Sequence, residues 1–153
     1  MFVFSNVLAA SWIKLNKDVV CFGAKNDSYG NFTVEHGGAI IALKLVYVSG
    51  YVTCNTMKAP HGSHWACNSQ FKLGTIVTDA DNTVVFPHDY SNTSYSLPGY
   101  HINSSELVYQ PLISPLTVKA GDEYRIWYHE DFQDGIESDN AGHTCTGVYV
   151  IYN

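Results

Sequence analysis

Basic residues are scarce in this sequence of 153 residues, in which 8 Lys and Arg side chains stand against 14 Asp and Glu and leave a net charge of −6. Arg125 is the single arginine. A protein that binds nucleic acid needs a basic surface to displace counterions from phosphates, so this charge balance argues against such a partner. No run of about 18 apolar residues occurs, which argues against a membrane-spanning helix.

Helical periodicity is almost absent as well, because Gly, Pro and β-branched residues interrupt each window in which apolar residues recur at helical spacing. Strand-like alternation is frequent instead and is clearest in residues 39–49, 123–129 and 144–152. Further short runs of the same kind lie at 12–16, 19–23, 31–35, 71–79, 83–87, 106–109 and 116–119. Turn-forming residues separate them.

This pattern predicts an all-β fold, with a single antiparallel β-sandwich of jelly-roll type over residues 11–153. Residues 1–10 are predicted to be an N-terminal remnant of a secretory leader or an edge strand. Two long loops, at 54–69 and 87–105, connect strands, and such loops often carry the binding surfaces of β-sandwiches.

The cysteines and the glycosylation motifs indicate an extracellular location. Four cysteines allow three pairings, and an oxidising compartment uses them as cross-links. Cys54 and Cys67 close a short polar loop, which leaves Cys21 to pair with Cys145. The Asn-x-Ser/Thr motifs, which accept N-linked glycans in secreted proteins, begin at Asn26, Asn31, Asn92 and Asn103. The sequence therefore predicts a secreted glycoprotein with two disulfide bonds.

Zinc is the alternative role for the first cysteine pair. Cys54, His61, His64 and Cys67 are four ligands that a tetrahedral zinc site accepts. Their spacing matches no usual zinc finger, so the disulfide is the favoured interpretation.

An acidic loop, residues 130–140, separates the last two predicted strands. It contains five carboxylates and no basic residue. The carboxylates belong to Glu130, Asp131, Asp134, Glu137 and Asp139. A solvated hairpin would also have this composition. However, calcium takes six to eight oxygens from carboxylates, amides and backbone carbonyls of a flexible loop, so calcium is the predicted cofactor.

The end of the chain resembles the calcium hairpin of the small calcium-dependent galactophilic lectins of bacteria, in which a strand ends in Asp and an Asn-Asn-Ser-Gly segment precedes the last strand. Asp131 matches the first Asp, and Asp139-Asn140-Ala-Gly142 is similar to the second segment. The resemblance implies a galactose-binding-like β-sandwich in which Asp131, Asp139 and Asn140 bind calcium.

The family also contributes the backbone carbonyl of a Tyr in an Ala-Ser-Tyr-Gly segment, and Asp27-Ser-Tyr29-Gly30 is similar to it. The loop departs from the family pattern because it is one residue longer and Asp139 replaces an Asn. The additional acids Asp134 and Glu137 lie inside it, and Asp134 is a further candidate ligand.

Aromatic and imidazole side chains on the loops are candidates for contacts to sugar. His129 adjoins the loop, while His61, His64 and Trp65 lie on the first long loop. An aromatic face stacks on the apolar face of a pyranose, and imidazole hydrogen-bonds to hydroxyls. The alternative is that Trp65 packs its own cysteine-closed loop onto the sandwich, and this alternative is favoured.

No catalytic motif is present: the sequence lacks Gly-x-Ser-x-Gly, His-Glu-x-x-His and a phosphate-binding loop. Glu130 and Glu137 could form the carboxylate pair of a glycosidase, but a loop this polar is expected to keep its carboxylates ionised. The chain is therefore predicted not to be an enzyme.

These features together predict a secreted, calcium-dependent lectin that binds a galactose-like carbohydrate. Association with copies of itself would let weak single sites gain avidity. The alternative is a structural or adhesive extracellular module, in which calcium only stiffens the acidic loop.

Overall fold

The computed structural model describes residues 11–56, 62–67, 72–109, 111–135 and 137–153. Two antiparallel sheets make up this part of the chain, as the alternation predicts. One sheet contains strands β1 (Ile13–Lys14), β2 (Val20–Gly23), β4 (Gly38–Thr53), β7 (Glu106–Val108), β8 (Leu116–Val118) and β10 (Ala141–Tyr152). The other contains strands β3 (Gly30–Thr33), β5 (Thr75–Asp79), β6 (Val84–Phe86) and β9 (Glu123–Tyr128). The expected N-terminal segment, residues 1–10, lies outside the described residues.

Strands β4 and β10 form the centre of the six-stranded sheet and pair along almost their whole length. Strand β2 pairs with the first half of β10, and β1 pairs with its second half. In the four-stranded sheet the order is β3, β9, β5 and β6. The core lies between the sheets, where Phe22, Leu45 and Ile126 are fully buried. Burying these apolar side chains is the main term that stabilises the sandwich.

Both predicted disulfides are present, Cys21–Cys145 and Cys54–Cys67. Cys21 and Cys145 occupy opposite register positions on β2 and β10, so the first bridge joins neighbouring strands. The second bridge closes the loop between β4 and β5. The zinc alternative for Cys54 and Cys67 is thereby excluded, since both sulfurs are bonded to each other.

One short helix, α1 (His129–Phe132), follows β9 and was not predicted. Four residues are too few to show helical periodicity in a sequence. Among the described residues, no helix has the length and the apolar character needed to cross a lipid bilayer.

Candidate functional site

The acidic loop begins in α1, where Asp131 is fully buried. Its two carboxylate oxygens accept hydrogen bonds from the backbone N–H groups of Asp27 and Ser28, each at 2.8 Å. Asn26 and Asp27 adopt positive φ angles of 64° and 54°, a conformation that Asn and Asp tolerate better than most residues. The segment 27–30 and the acidic loop, about a hundred residues apart, are thus joined at Asp131.

Asn140 closes the other end of the loop and is also fully buried. Its Nδ2 donates a hydrogen bond to the carbonyl oxygen of Ala24 at 2.9 Å, but its Oδ1 has no hydrogen-bond partner. Oε2 of Glu130 and Oε2 of Glu137 are buried without a partner as well. Buried acceptors that lack a partner are costly, so three of them in one loop need a donor or a cation.

Among the described residues, no basic side chain forms an ion pair with a carboxylate of this loop. The pKa of Asp131 is raised to about 6, because burial and, to a smaller extent, Glu137 raise it by more than the N–H groups of Asp27 and Ser28 lower it. Burial also raises the pKa of Glu130, while a hydrogen bond from Asn140 lowers it.

The ion pairs found among the described residues, Lys44–Glu106 and Arg125–Glu123, both lie elsewhere. The acidic loop thus combines buried carboxylates with unpartnered oxygens.

The oxygen atoms of this loop are of the kind that a hard cation such as calcium takes as ligands. Asp131 and Glu137 provide carboxylate oxygens, and Asn140 provides an unpartnered amide oxygen. In the described part of the chain, no group of three or more His, Cys, Asp or Glu side chains converges as a metal site. A cation here would therefore also need amide and backbone oxygens, which calcium accepts and zinc does not favour.

The remaining predicted ligands, Asp134, Asp139 and Tyr29, have different surroundings in the structure. Asp134 is exposed and has a positive φ of 50°, so its side chain belongs to the solvent-facing turn after α1. Asp139 is half-buried, and its carbonyl oxygen accepts a hydrogen bond from the N–H of Thr56 at 3.0 Å. The ring of Tyr29 packs 4.7 Å from the Trp127 ring and 4.5 Å from the Arg125 guanidinium. These contacts hold the segment 27–30 beside Asp131.

A polar cleft of about 240 Å³ lies beside the first residues of α1. It is lined by Ala66, Cys67, Lys72, Gly74, Thr93, Ser94, Tyr128, His129 and Glu130. Burial lowers the pKa of His129 to about 4, so its imidazole is neutral at pH 7. Sequence reasoning found His129 but missed Lys72, Thr93 and Ser94. Their only signal was their position in or next to the two long loops.

Trp65 leaves no ring face open for the expected platform of His61, His64 and Trp65. Trp65 is fully buried and its Nε1 donates a hydrogen bond to the carbonyl oxygen of Ser104 at 2.7 Å, so its ring faces cannot meet a sugar. His64 stacks on Tyr47 with 3.4 Å between the ring centroids. His61 lies outside the described residues. Trp65 therefore fixes the first long loop to the sandwich, as the alternative predicted.

All four glycosylation motifs are on the surface. The side chains of Asn26, Asn31, Asn92 and Asn103 are exposed. This exposure is compatible with glycosylation, which stays a prediction.

The structure is similar to that of AJLec, a lectin from the sea anemone Anthopleura japonica. The TM-score is 0.84 and the sequence identity is 32%. The matched region covers 94% of this chain and 98% of AJLec. No protein-family model and no curated protein sequence matches the chain.

Proposed function

Because this chain belongs to the same family as the sea anemone lectin AJLec, we propose that it is a secreted carbohydrate-binding protein whose sugar site depends on calcium. The observation that carries the calcium part is the junction at Asp131, which holds the segment 27–30 against the acidic loop. That junction unites the two sequence segments that resemble the calcium site of the galactophilic lectins.

Asp131, Asn140 and Asp139 would hold the ion, with Glu137 as a fourth candidate and the backbone near Tyr29 as a source of carbonyl oxygen. A bound calcium ion with open coordination positions attracts pairs of neighbouring sugar hydroxyls, which supports a preference for a galactose-like residue. The same protein oxygens accept hydrogen bonds from those hydroxyls. Such help matters because single hydroxyl hydrogen bonds contribute little net free energy in water.

The cleft beside α1 supports the proposal because it provides further polar contacts. The hydroxyls of Thr93 and Ser94 both donate and accept hydrogen bonds, and Lys72 donates. The imidazole of His129 is neutral and therefore adds no charge to the cleft. The cleft thus suits a neutral sugar.

The test is a glycan array probed with the whole protein in calcium and again in excess chelator. We expect binding to glycans with terminal galactose in calcium, and loss of that binding in chelator. The matched control is Asp134→Asn, which removes an exposed carboxylate of the same loop and should bind as the wild type does. Equal binding in both buffers would refute the calcium dependence, and no binding to any glycan would refute the lectin function.

A structural or adhesive module is the second candidate, favoured by the additional carboxylates that could fill the calcium shell. In that case calcium would stabilise the fold without any glycan signal on the array. We further propose that the lectin associates with copies of itself, which light scattering on the purified protein measures.

A further inference from the structure

Tyr51 is an exposed aromatic residue on β4, with 52% of its surface accessible. Its ring is seated on two glycines, Gly62 and Gly142. A Cβ atom added to Gly62 would collide with the ring, and one added to Gly142 would lie 3.0 Å from its Cδ2 and Cε2 atoms. Close packing on the glycines holds the ring in place, while part of the ring remains open to solvent.

The register of the six-stranded sheet places Tyr51 near the acidic loop. Tyr51 is opposite His143 on β10, and His143 is opposite Gly23 on β2. The N–H of Gly23 donates a hydrogen bond to the carbonyl oxygen of Ser28 at 2.7 Å, and the N–H of Ser28 binds Asp131. Tyr51, His143 and Gly23 thus lie side by side on three neighbouring strands. Because neighbouring strands are about 4.8 Å apart, the backbone of Tyr51 is about 10 Å from that of Gly23.

Residues opposite each other in antiparallel strands point to the same face of the sheet. Tyr51 and the exposed His143 therefore form one surface, which leads from the acidic loop across β10 to β4. Gly142, one of the two glycines beneath the ring, is two residues from the buried Asn140. One end of this surface therefore lies next to the end of the acidic loop.

We infer that Tyr51 forms a second sugar subsite, whose ring stacks on the sugar residue linked to the one held at the acidic loop. The inference rests on the proposed lectin function. A Tyr ring presents a large apolar face and has few rotatable bonds, and here packing on the glycines has already fixed it. Little side-chain entropy is lost on binding, so a linked sugar ring gains most of the contact energy. Tyr51 would therefore give the protein a preference for disaccharides over single sugars.

The test compares methyl β-galactoside with lactose by titration calorimetry in calcium. For the wild type we expect lactose to bind more tightly than the monosaccharide. Tyr51→Leu, which still covers the glycines but has no aromatic face, should weaken lactose binding roughly three- to tenfold. It should leave the affinity for methyl β-galactoside within about twofold, which is below the 1.4 kcal/mol of a tenfold change. Tyr51→Phe should retain the wild-type ratio.

Val48→Ala is the matched control, since Val48 lies on the same strand and is 50% exposed. It should change neither affinity. An equal loss of both affinities in Tyr51→Leu would show a purely structural role for the ring and would overturn the subsite. Unchanged affinity for lactose would overturn it as well. If the wild type binds neither sugar in calcium, the galactose preference proposed above fails first and the subsite fails with it.

Discussion

At the scale of single residues, Asp131 is the carboxylate that most needs a counter-charge, and Glu137 lies close enough to affect it. The pKa of Asp131 is raised to about 6 mainly by burial, and the hydrogen bond and charge of Glu137 contribute to this rise. At pH 7, above this pKa, ionised Asp131 costs stability, since an acid whose pKa is raised by folding opposes folding once it is deprotonated. Without a cation, each ionised carboxylate therefore destabilises the other.

Glu137→Gln removes one of these charges and keeps the shape of the side chain. In chelator at pH 7 we expect the free energy of unfolding to rise, on the order of 1 kcal/mol, because the repulsion on Asp131 is relieved. In calcium the increase in the free energy of unfolding should be smaller or should become a decrease, because the substitution removes the charge of a candidate calcium ligand. Urea denaturation in both buffers measures this, with Asp134→Asn as the control that changes neither value. A lower stability of Glu137→Gln in chelator would contradict the argument.

The sequence predicted Asp131 and Asn140 as site residues, and the structure buries both. The sequence did not show that Glu137 lies near Asp131 while Asp134 faces solvent, because the direction of a side chain in a loop depends on the local backbone. Here α1 and the positive φ of Asp134 turn Asp134 toward solvent, while Glu137 turns toward Asp131. Neither feature has a sequence signal as strong as strand alternation.

At the scale of elements, the two disulfides act on different parts of the molecule. Cys21 and Cys145 are 124 residues apart and join β2 to β10 in the six-stranded sheet. Cys54 and Cys67 are 13 residues apart and close the loop that supplies Ala66 and Cys67 to the cleft. That loop also begins beside Thr56, whose N–H binds the carbonyl oxygen of Asp139. The Cys54–Cys67 disulfide is therefore coupled to the acidic loop through the hydrogen bond between Thr56 and Asp139.

We expect the two pairs of serine substitutions to have different effects. Cys21→Ser with Cys145→Ser should lower the free energy of unfolding by roughly 3–5 kcal/mol, since it opens a long covalent loop, and should leave calcium affinity unchanged. Cys54→Ser with Cys67→Ser should cost less stability, about 3 kcal/mol, but should weaken calcium binding. Urea denaturation and calcium titration of the folded variants measure both quantities. Equal calcium affinities in the two double variants would refute the coupling.

The sequence predicted the strands well because alternation directly reflects which side chains face the core. The prediction for β4 ended at residue 49, whereas the strand continues to Thr53. Gly50 has a positive φ of 84°, and the register shifts between Cys145 and Thr146 on the partner strand. Such irregularities interrupt the alternation without ending the strand. The additional residues are those that place Tyr51 beside β10.

At the scale of the whole molecule, the sandwich brings the acidic loop together with segments from far along the chain. Asp131 binds the segment 27–30, and the cleft beside it combines residues from both long loops with the end of β9. The sequence could predict the two long loops and the acidic loop separately. It could not predict which of them meet, because that depends on how the strands pair across the two sheets.

Calcium should stabilise the entire fold, because an ion that binds only the folded state shifts the unfolding equilibrium by mass action. At a free calcium concentration of about 100 times the dissociation constant, the gain is about 2.7 kcal/mol. For a domain of this size that corresponds to a rise in Tm of roughly 5–10 °C relative to chelator, measured by calorimetry.

Asp131→Ala should melt at a lower temperature in both buffers, since the N–H groups of Asp27 and Ser28 lose their acceptor. Its Tm should no longer depend on calcium, whereas Asp134→Asn should keep the full difference. Identical wild-type melting curves in calcium and in chelator would reduce the acidic loop to a solvated hairpin. A sugar site would then have to rest on the cleft beside α1, and the subsite at Tyr51 would lose the neighbouring site on which it depends.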